Sequence, residues 1–330
     1  MVNRPGEFEI IETYFAPLSK EPGAFGLKDD AALIAVEPGE DLIVSTDTII
    51  AGVHFLPADP PDLVATKLLA VNLSDLAAMA AEPMAYMLAA AWSDETDASW
   101  LGRFADGLKQ AQETYGVSLY GGDTVATIGP TTLTLTAIGA VGKGRELRRN
   151  GANAGDGLYV SGTIGDAALG LMCLRHGING LAELTAEFLI ERYRRPQARV
   201  ALARELSGLA TAAIDVSDGL IADLEKLTAA SGTSALVAVS KVPLSKAAQA
   251  AVDRSAELIE VVLTGGDDYE LLFTAPASRE TNIRDLAAHV ALPLTRIGDI
   301  NEYRGNDRSV RVVDNAGLEI SLPQSGYRHF

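Results

Sequence analysis

Five short runs place carboxylates beside glycines and small hydroxyl residues, each next to an apolar stretch. They are Lys28-Asp29-Asp30, Ser45-Thr46-Asp47-Thr48, Gly121-Gly122-Asp123-Thr124, Asp215-Val216-Ser217-Asp218-Gly219 and Gly265-Gly266-Asp267-Asp268-Tyr269-Glu270. Any one of them reads as turn or helix-cap chemistry. Five in one chain ask for cations, because so many acids cannot converge unneutralised. Hard carboxylate and hydroxyl oxygens suit Mg²⁺, which keeps several waters and shares phosphate oxygens with a substrate. The chain carries neither a Gly-x-x-x-x-Gly-Lys-Ser/Thr phosphate loop nor the protein-kinase set of motifs. If it handles a polyphosphate, metal ions supply much of the countercharge that lysines supply elsewhere.

Other residues carry weaker signals. Gly162-Thr163-Ile164-Gly165-Asp166 offers backbone amides at a strand-to-helix turn, where a phosphate can sit. Arg148 and Arg149 read either as linker charges or as a fork for a phosphate oxygen. His54 follows the Ser-Thr-Asp run closely enough to line the same site, or serves as a structural histidine. Cys173 lies in an apolar segment and reads as core. Ser217 has no Gly-x-Ser-x-Gly elbow around it, which argues against a serine hydrolase.

Composition narrows the classes. With 44 acidic and 27 basic residues the net charge is -17, so a nucleic-acid duplex is a poor partner. No run of about 20 uncharged apolar residues is present, so no membrane-spanning helix is expected. The N-terminus carries Glu7, Glu9 and Glu12 and does not read as a signal peptide. A single cysteine excludes an internal disulfide and a thiolate zinc cluster, and points to a reducing cytoplasm.

The elements that must position these residues follow from pattern. Residues 41–50 read as a strand running into Ser45-Thr46-Asp47, and 63–81 as a helix that is apolar nearly all round. On that helix Asn72 and Asp75 share the row of Leu68 and Met79, and a carboxylate there needs a cation or several donors. Residues 98–115 read as a helix, 117–120 as a short strand ending at Gly121-Gly122-Asp123, and 131–138 as a half-buried strand. The basic, glycine-rich run 142–151 is the best linker, which divides the chain into domains 1–149 and 150–330. The second half alternates strands (158–161, 211–215, 261–265, 270–274) with helices (166–176, 219–231, 283–289), an α/β or α+β pattern.

Taken in order, these runs resemble the thiamine-monophosphate kinase family. Ser45-Thr46-Asp47-Thr48 with His54-Phe55, the helical run Ala70 to Met79, Gly121-Gly122-Asp123-Thr124, Ile214-Asp215-Val216-Ser217-Asp218-Gly219-Leu220, Gly265-Gly266-Asp267-Asp268-Tyr269-Glu270-Leu271 and the closing Gly326-Tyr327-Arg328-His329-Phe330 carry the likeness. The resemblance implies a two-domain α/β (α+β) fold like that of aminoimidazole ribonucleotide synthetase, with the N-terminal sheet paired across a homodimer. It implies phosphorylation of thiamine monophosphate by ATP to thiamine diphosphate. It also implies roles for matching positions. Asp30, Ser45, Thr46, Asp47, Asp75, Asp123, Asp215 and Asp218 resemble the family's ligands for several Mg²⁺ ions. Gly121, Gly122, Arg149 and Ser217 resemble its ATP contacts, and His54, Glu270 and Tyr327 its substrate contacts. Lys28 stands where the family usually has glycine. The acceptor is already a phosphate monoester with no hydroxyl proton to lose, so no general base is expected and catalysis reduces to alignment plus charge neutralisation. Another synthetase of the same superfamily, or a non-catalytic nucleotide- or cation-binding regulator, are the competing readings.

Overall fold

A computed structural model describes residues 5–305 and 309–327. Arg328, His329 and Phe330 of the closing motif lie outside the described residues. The chain divides into two units. The first is 1–76 with 81–144, and the second is 77–80 with 145–330.

The first unit holds a four-stranded sheet. Its strands are β1 (Glu40–Ile50), β2 (Glu82–Trp92), β3 (Ser118–Ala126) and β4 (Thr132–Gly142), in the order β1-β4-β2-β3. β4 pairs antiparallel with β1 and β2, and β2 pairs parallel with β3. Leu133, Leu135 and Ala137 of β4 are buried while Thr132, Thr134 and Thr136 are half-buried, the alternation expected of a strand with one covered face. Trp92 of β2 meets Trp100 and Phe104 of the helix Ala98–Tyr115 edge-on. That helix is capped at its start by Asp97, whose carboxylate accepts the Trp100 amide.

The helix expected at 63–81 is present, and an unread strand follows it. The helix Pro61–Ala78 stops at Ala80, whose φ of 59° is left-handed, and β2 follows. β2 is alanine-rich, so its strand character comes from pairing on both sides rather than from residue preference. β3 likewise runs on through Gly121-Gly122-Asp123 instead of ending there, because β2 continues to pair with it as far as Ala126.

The second unit holds a six-stranded sheet in the order β10-β7-β9-β5-β8-β6. The strands are β5 (Asp156–Ser161), β6 (Ala212–Asp215), β7 (Thr233–Ala238), β8 (Leu271–Pro276), β9 (Leu294–Glu302) and β10 (Val310–Val313). Only β10 and β7 pair parallel; the other pairs are antiparallel. The sheet is buried on both faces. Leu158, Val160, Ile214 and Leu272 enter one core, and Tyr159, Ala213, Leu271 and Phe273 the other. Ala77, Ala78 and Ala80 join the second of these cores with Leu147, and the Leu147 amide donates to the Met79 carbonyl.

Residues 261–265 form no strand. The segment Leu258–Thr264 is a helix, with Leu258, Val262 and Leu263 buried. Its β-branched pair Val261-Val262 mimics a strand in the sequence. Packing of those spaced apolar positions against the core overrides the preference.

Candidate active site

In the first unit, Ser45-Thr46-Asp47 lies inside β1, so successive side chains leave on opposite faces. Ser45 Oγ donates to Asp75 Oδ2 at 2.6 Å, on the helix Pro61–Ala78. Thr46 instead takes a bond from Thr136 Oγ1 at 3.1 Å and donates to the Leu135 carbonyl. The Asp47 amide donates to Asn72 Oδ1 at 3.0 Å, and Asn72 Nδ2 donates to the Leu68 carbonyl at 2.9 Å. Asn72 is fully buried and ties β1 to the helix, while Asp75 is only half-buried. The acid on the apolar helix is thus met by a hydroxyl donor.

Asp30, Gly121, Gly122 and Asp123 line one cavity of about 160 Å³, together with Asp29 and Thr124. Asp29, Asp30 and Asp123 are all exposed. Gly122 is required where it stands. A Cβ there would lie 1.8 Å from the Leu88 carbonyl oxygen, so β2 and β3 could not pair as they do. Lys28 has φ of -111°, a backbone that any residue adopts, so lysine in place of glycine strains nothing. His54 closes the turn after β1, its Nδ1 accepting the Ile50 amide at 3.1 Å.

In the second unit the acids gather around one loop. β6 delivers Asp215, which is buried, and Ser217 and Asp218 follow half-buried. The turn 216–218 is held by its neighbours. The Val216 amide donates to the Glu270 carbonyl, and the Asp267 and Tyr269 amides donate to the Ser217 and Val216 carbonyls. Gly266 must be glycine for this contact, since a Cβ would lie 2.2 Å from the Ser217 carbonyl oxygen. Asp267 and Tyr269 have φ of 74° and 51°, a left-handed backbone that costs on the order of 1–3 kcal/mol each and clusters at functional loops. The Tyr327 amide donates to the Asp218 carbonyl at 2.9 Å, which brings the exposed Tyr327 to the same loop.

Glu270 is fully buried, and its carboxylate accepts from Ser161 at 2.6 Å, from Arg192 at 3.1 Å and from Arg199. Any reach of Glu270 toward a substrate therefore runs through the two guanidinium groups. Beside it, Asp268 is buried and accepts the Gly165 amide at 2.7 Å; burial pushes its carboxyl well above the ordinary carboxylate range. Asp166 is raised by burial too, although Ser245, Thr163 and Arg192 oppose the shift. Arg149 is exposed, with its carbonyl accepting the Ser231 hydroxyl. Cys173 is half-buried against the core and burial raises its thiol.

Several of these partners escape a reading of motifs. Arg192, in a helix, and Arg199, just before the helix Val200–Leu206, carry no motif signal and are picked out only by pairing with Glu270 across 78 and 71 residues. Asp223 and Lys226 pair locally, with each other and with the loop at Ser217 to Gly219. Asp223 left a signal: an acid in the first turn of the helix that follows Asp215-Val216-Ser217-Asp218-Gly219. Among the described residues no three His, Cys, Asp or Glu side chains gather closely enough to hold an ion by themselves. No helix among them is long and apolar enough to cross a membrane.

Residues 28–141 match the family model of the AIR synthase related protein N-terminal domain, and residues 153–310 that of its C-terminal domain. The chain is 41% identical over 328 residues to thiamine-monophosphate kinase of Salmonella typhimurium, covering 98% of each. Among solved structures, thiamine-monophosphate kinase from Stenotrophomonas maltophilia is 42% identical with a TM-score of 0.80, covering 86% of this chain and 89% of that one. AaThiL, solved in complex with AMPPCP and TMP, is 31% identical with a TM-score of 0.78 over 92% of this chain and 91% of that one. A two-domain AIR synthase related fold, acid-rich loops at the motif positions and near full-length likeness all agree: this chain belongs to the thiamine-monophosphate kinase family.

Proposed function

We propose that the chain transfers the terminal phosphoryl group of ATP to the phosphate of thiamine monophosphate, giving ADP and thiamine diphosphate by direct in-line attack. The observation that carries this reading is the set of acid-rich loops at the family's motif positions, within a likeness that spans 98% of the chain. The donor set is oxygen throughout: exposed carboxylates at Asp29, Asp30 and Asp123, and a hydroxyl–carboxylate pair at Ser45 and Asp75. That chemistry fits Mg²⁺, which fills the rest of its shell with water and phosphate oxygens and so needs no complete protein cage. Asp30, Ser45, Thr46, Asp47, Asp75 and Asp123 in the first unit, and Asp215 and Asp218 in the second, are the residues that would hold several ions. Bound Mg²⁺ supplies charge neutralisation between two phosphates that otherwise repel.

The rest is done by side chains and backbone. Gly121, Gly122, Arg149 and Ser217 are the nucleotide contacts that the family likeness implies. Ser45 fixes the Asp75 carboxylate, and Asn72 fixes the β1 backbone at Asp47. His54 and Tyr327 contact thiamine monophosphate, the tyrosine face attracting a cationic thiazolium by about 0.5–2 kcal/mol. Glu270 orients Arg192 and Arg199. The attacking oxygen is already unprotonated at neutral pH, so none of these groups acts as an essential base.

The working form is a cytoplasmic homodimer. Leu42, Val44, Met87 and Val125 on β1, β2 and β3 are exposed apolar residues, and a second copy would cover them. Sedimentation at micromolar concentration is expected to give twice 34.7 kDa. Incubating the protein with ATP, MgCl₂ and a panel of phosphate acceptors tests the reaction. Thiamine diphosphate identified by mass is the expected product, and no turnover with thiamine monophosphate would exclude the kinase.

A further inference from the structure

We propose that Asp223 is a positioning residue for Asp218, with Lys226 as the link between them; this rests on the reading of Asp218 as a Mg²⁺ ligand. Asp223 sits in the first turn of the helix Leu220–Ser231 and is fully buried. Its carboxylate turns back over the loop that precedes the helix. One oxygen, Oδ2, accepts the amides of Ser217 at 2.9 Å, Asp218 at 2.9 Å and Gly219 at 3.2 Å. Three successive amides aimed at one point form a concave anion site. Here the chain fills that site with its own carboxylate, so the backbone on both sides of Asp218 is set by one side chain.

The other oxygen controls the Asp218 side chain. Asp223 Oδ1 accepts from Lys226 Nζ at 2.7 Å, and the same Nζ donates to Asp218 Oδ2 at 2.5 Å. The ammonium therefore bridges the buried acid and the partly exposed one. Asp218 is held in one rotamer with Oδ2 occupied, which leaves Oδ1 for a metal. Because Asp223 shares the ammonium, Lys226 does not settle on Asp218 alone.

Two variants of the full chain separate this role from simple support of the helix. Asp223→Ala removes the acceptor of three amides. Asp223→Asn keeps one oxygen for those amides but presents its NH₂ group, or no charge, to Lys226. Hydrogen exchange of peptides covering 216–220 reads the turn. Thermal unfolding with a non-hydrolysable ATP analogue and increasing MgCl₂ reads the metal. Asp223→Ala is expected to speed exchange at 217–219 tenfold or more and to raise the half-saturating Mg²⁺ about tenfold. Asp223→Asn is expected to keep exchange near wild type yet raise half-saturating Mg²⁺ several-fold, because the ammonium is left with Asp218 alone. If Asp223→Ala does not fold, Asp223→Asn decides by itself. A wild-type Mg²⁺ response in either folded variant overturns the positioning role. Absence of any Mg²⁺ response in the wild-type protein overturns the metal reading first, and this proposal with it.

Discussion

Most acids of the two acid-rich regions are kept in opposite states, with Asp218 of the second partly exposed like those of the first. In the first, Asp29, Asp30 and Asp123 stand exposed around a cavity, and Asp75 is half-buried beneath the Ser45 hydroxyl. In the second, Asp166, Asp215, Asp223, Asp268 and Glu270 are buried. There the donors come from the protein: Arg192 and Arg199 for Glu270, Lys226 and three amides for Asp223, amides and hydroxyls for Asp268 and Asp166. A buried carboxylate without such donors costs several kcal/mol, so those acids serve the scaffold before they serve a ligand. Exposed acids cost the fold little and remain open to a metal and its waters. Removing an open acid such as Asp123 or Asp75 should therefore affect activity, and removing an enclosed one such as Glu270 should affect stability.

The largest expected effect is on the buried side. Glu270→Ala leaves Arg192 and Arg199, both mostly buried, without their shared carboxylate. Breaking such a pair from one side costs about 3–5 kcal/mol, read as a drop in denaturation midpoint. A variant as stable as the wild type would erase the contrast between the two units. Next in size is Asp75→Asn. It should keep the fold and lower turnover on the order of a hundredfold, about 2.7 kcal/mol at the transition state. Near-normal turnover at saturating Mg²⁺ would remove Asp75 from the site.

A pH series sharpens the comparison. Asp268 is held above the carboxylate value of the unfolded chain, about 3.9, chiefly by burial. Its contribution to stability is then fully present below about pH 3.9 and is lost as pH rises through its folded value. Asp268→Asn has no such titration. The stability of the wild type relative to this variant should fall as pH is raised from 4, measured by melting at matched ionic strength. A flat difference between wild type and Asp268→Asn across this range would contradict the assignment. The smallest effect belongs to Tyr327→Ala. It should raise the KM for thiamine monophosphate several-fold and leave that for ATP nearly unchanged. Equal effects on both would assign the tyrosine to packing.

Much of the fold was legible because its signals are local. The 3.6-residue period at 98–115 and the alternation of threonine with leucine at 131–138 each name one element, and both are present with ends within a few residues, although the strand runs on to Gly142. Where local signals conflict with pairing, the reading failed. β2 is alanine-rich and drew no element reading, and Val261-Val262 favours a strand yet sits in a helix. Both outcomes depend on partners far along the chain, which no window of residues contains. The division between units shows the same thing. The basic, glycine-rich run marks its neighbourhood, but only packing assigns Ala77 to Ala80 to the second unit.

By itself the sequence determined the chemistry. It set oxygen donors and no thiolate cluster, glycines where backbones approach, and a family likeness that runs from end to end. Residue identity suffices for that, since donor type and charge belong to side chains wherever they lie. Tertiary structure alone decided which acids stay open and which are enclosed. Ser45 finds Asp75 across 30 residues and Arg199 finds Glu270 across 71. Burial and donor count are properties of the packed chain, and they separate a carboxylate that supports a loop from one exposed to a metal.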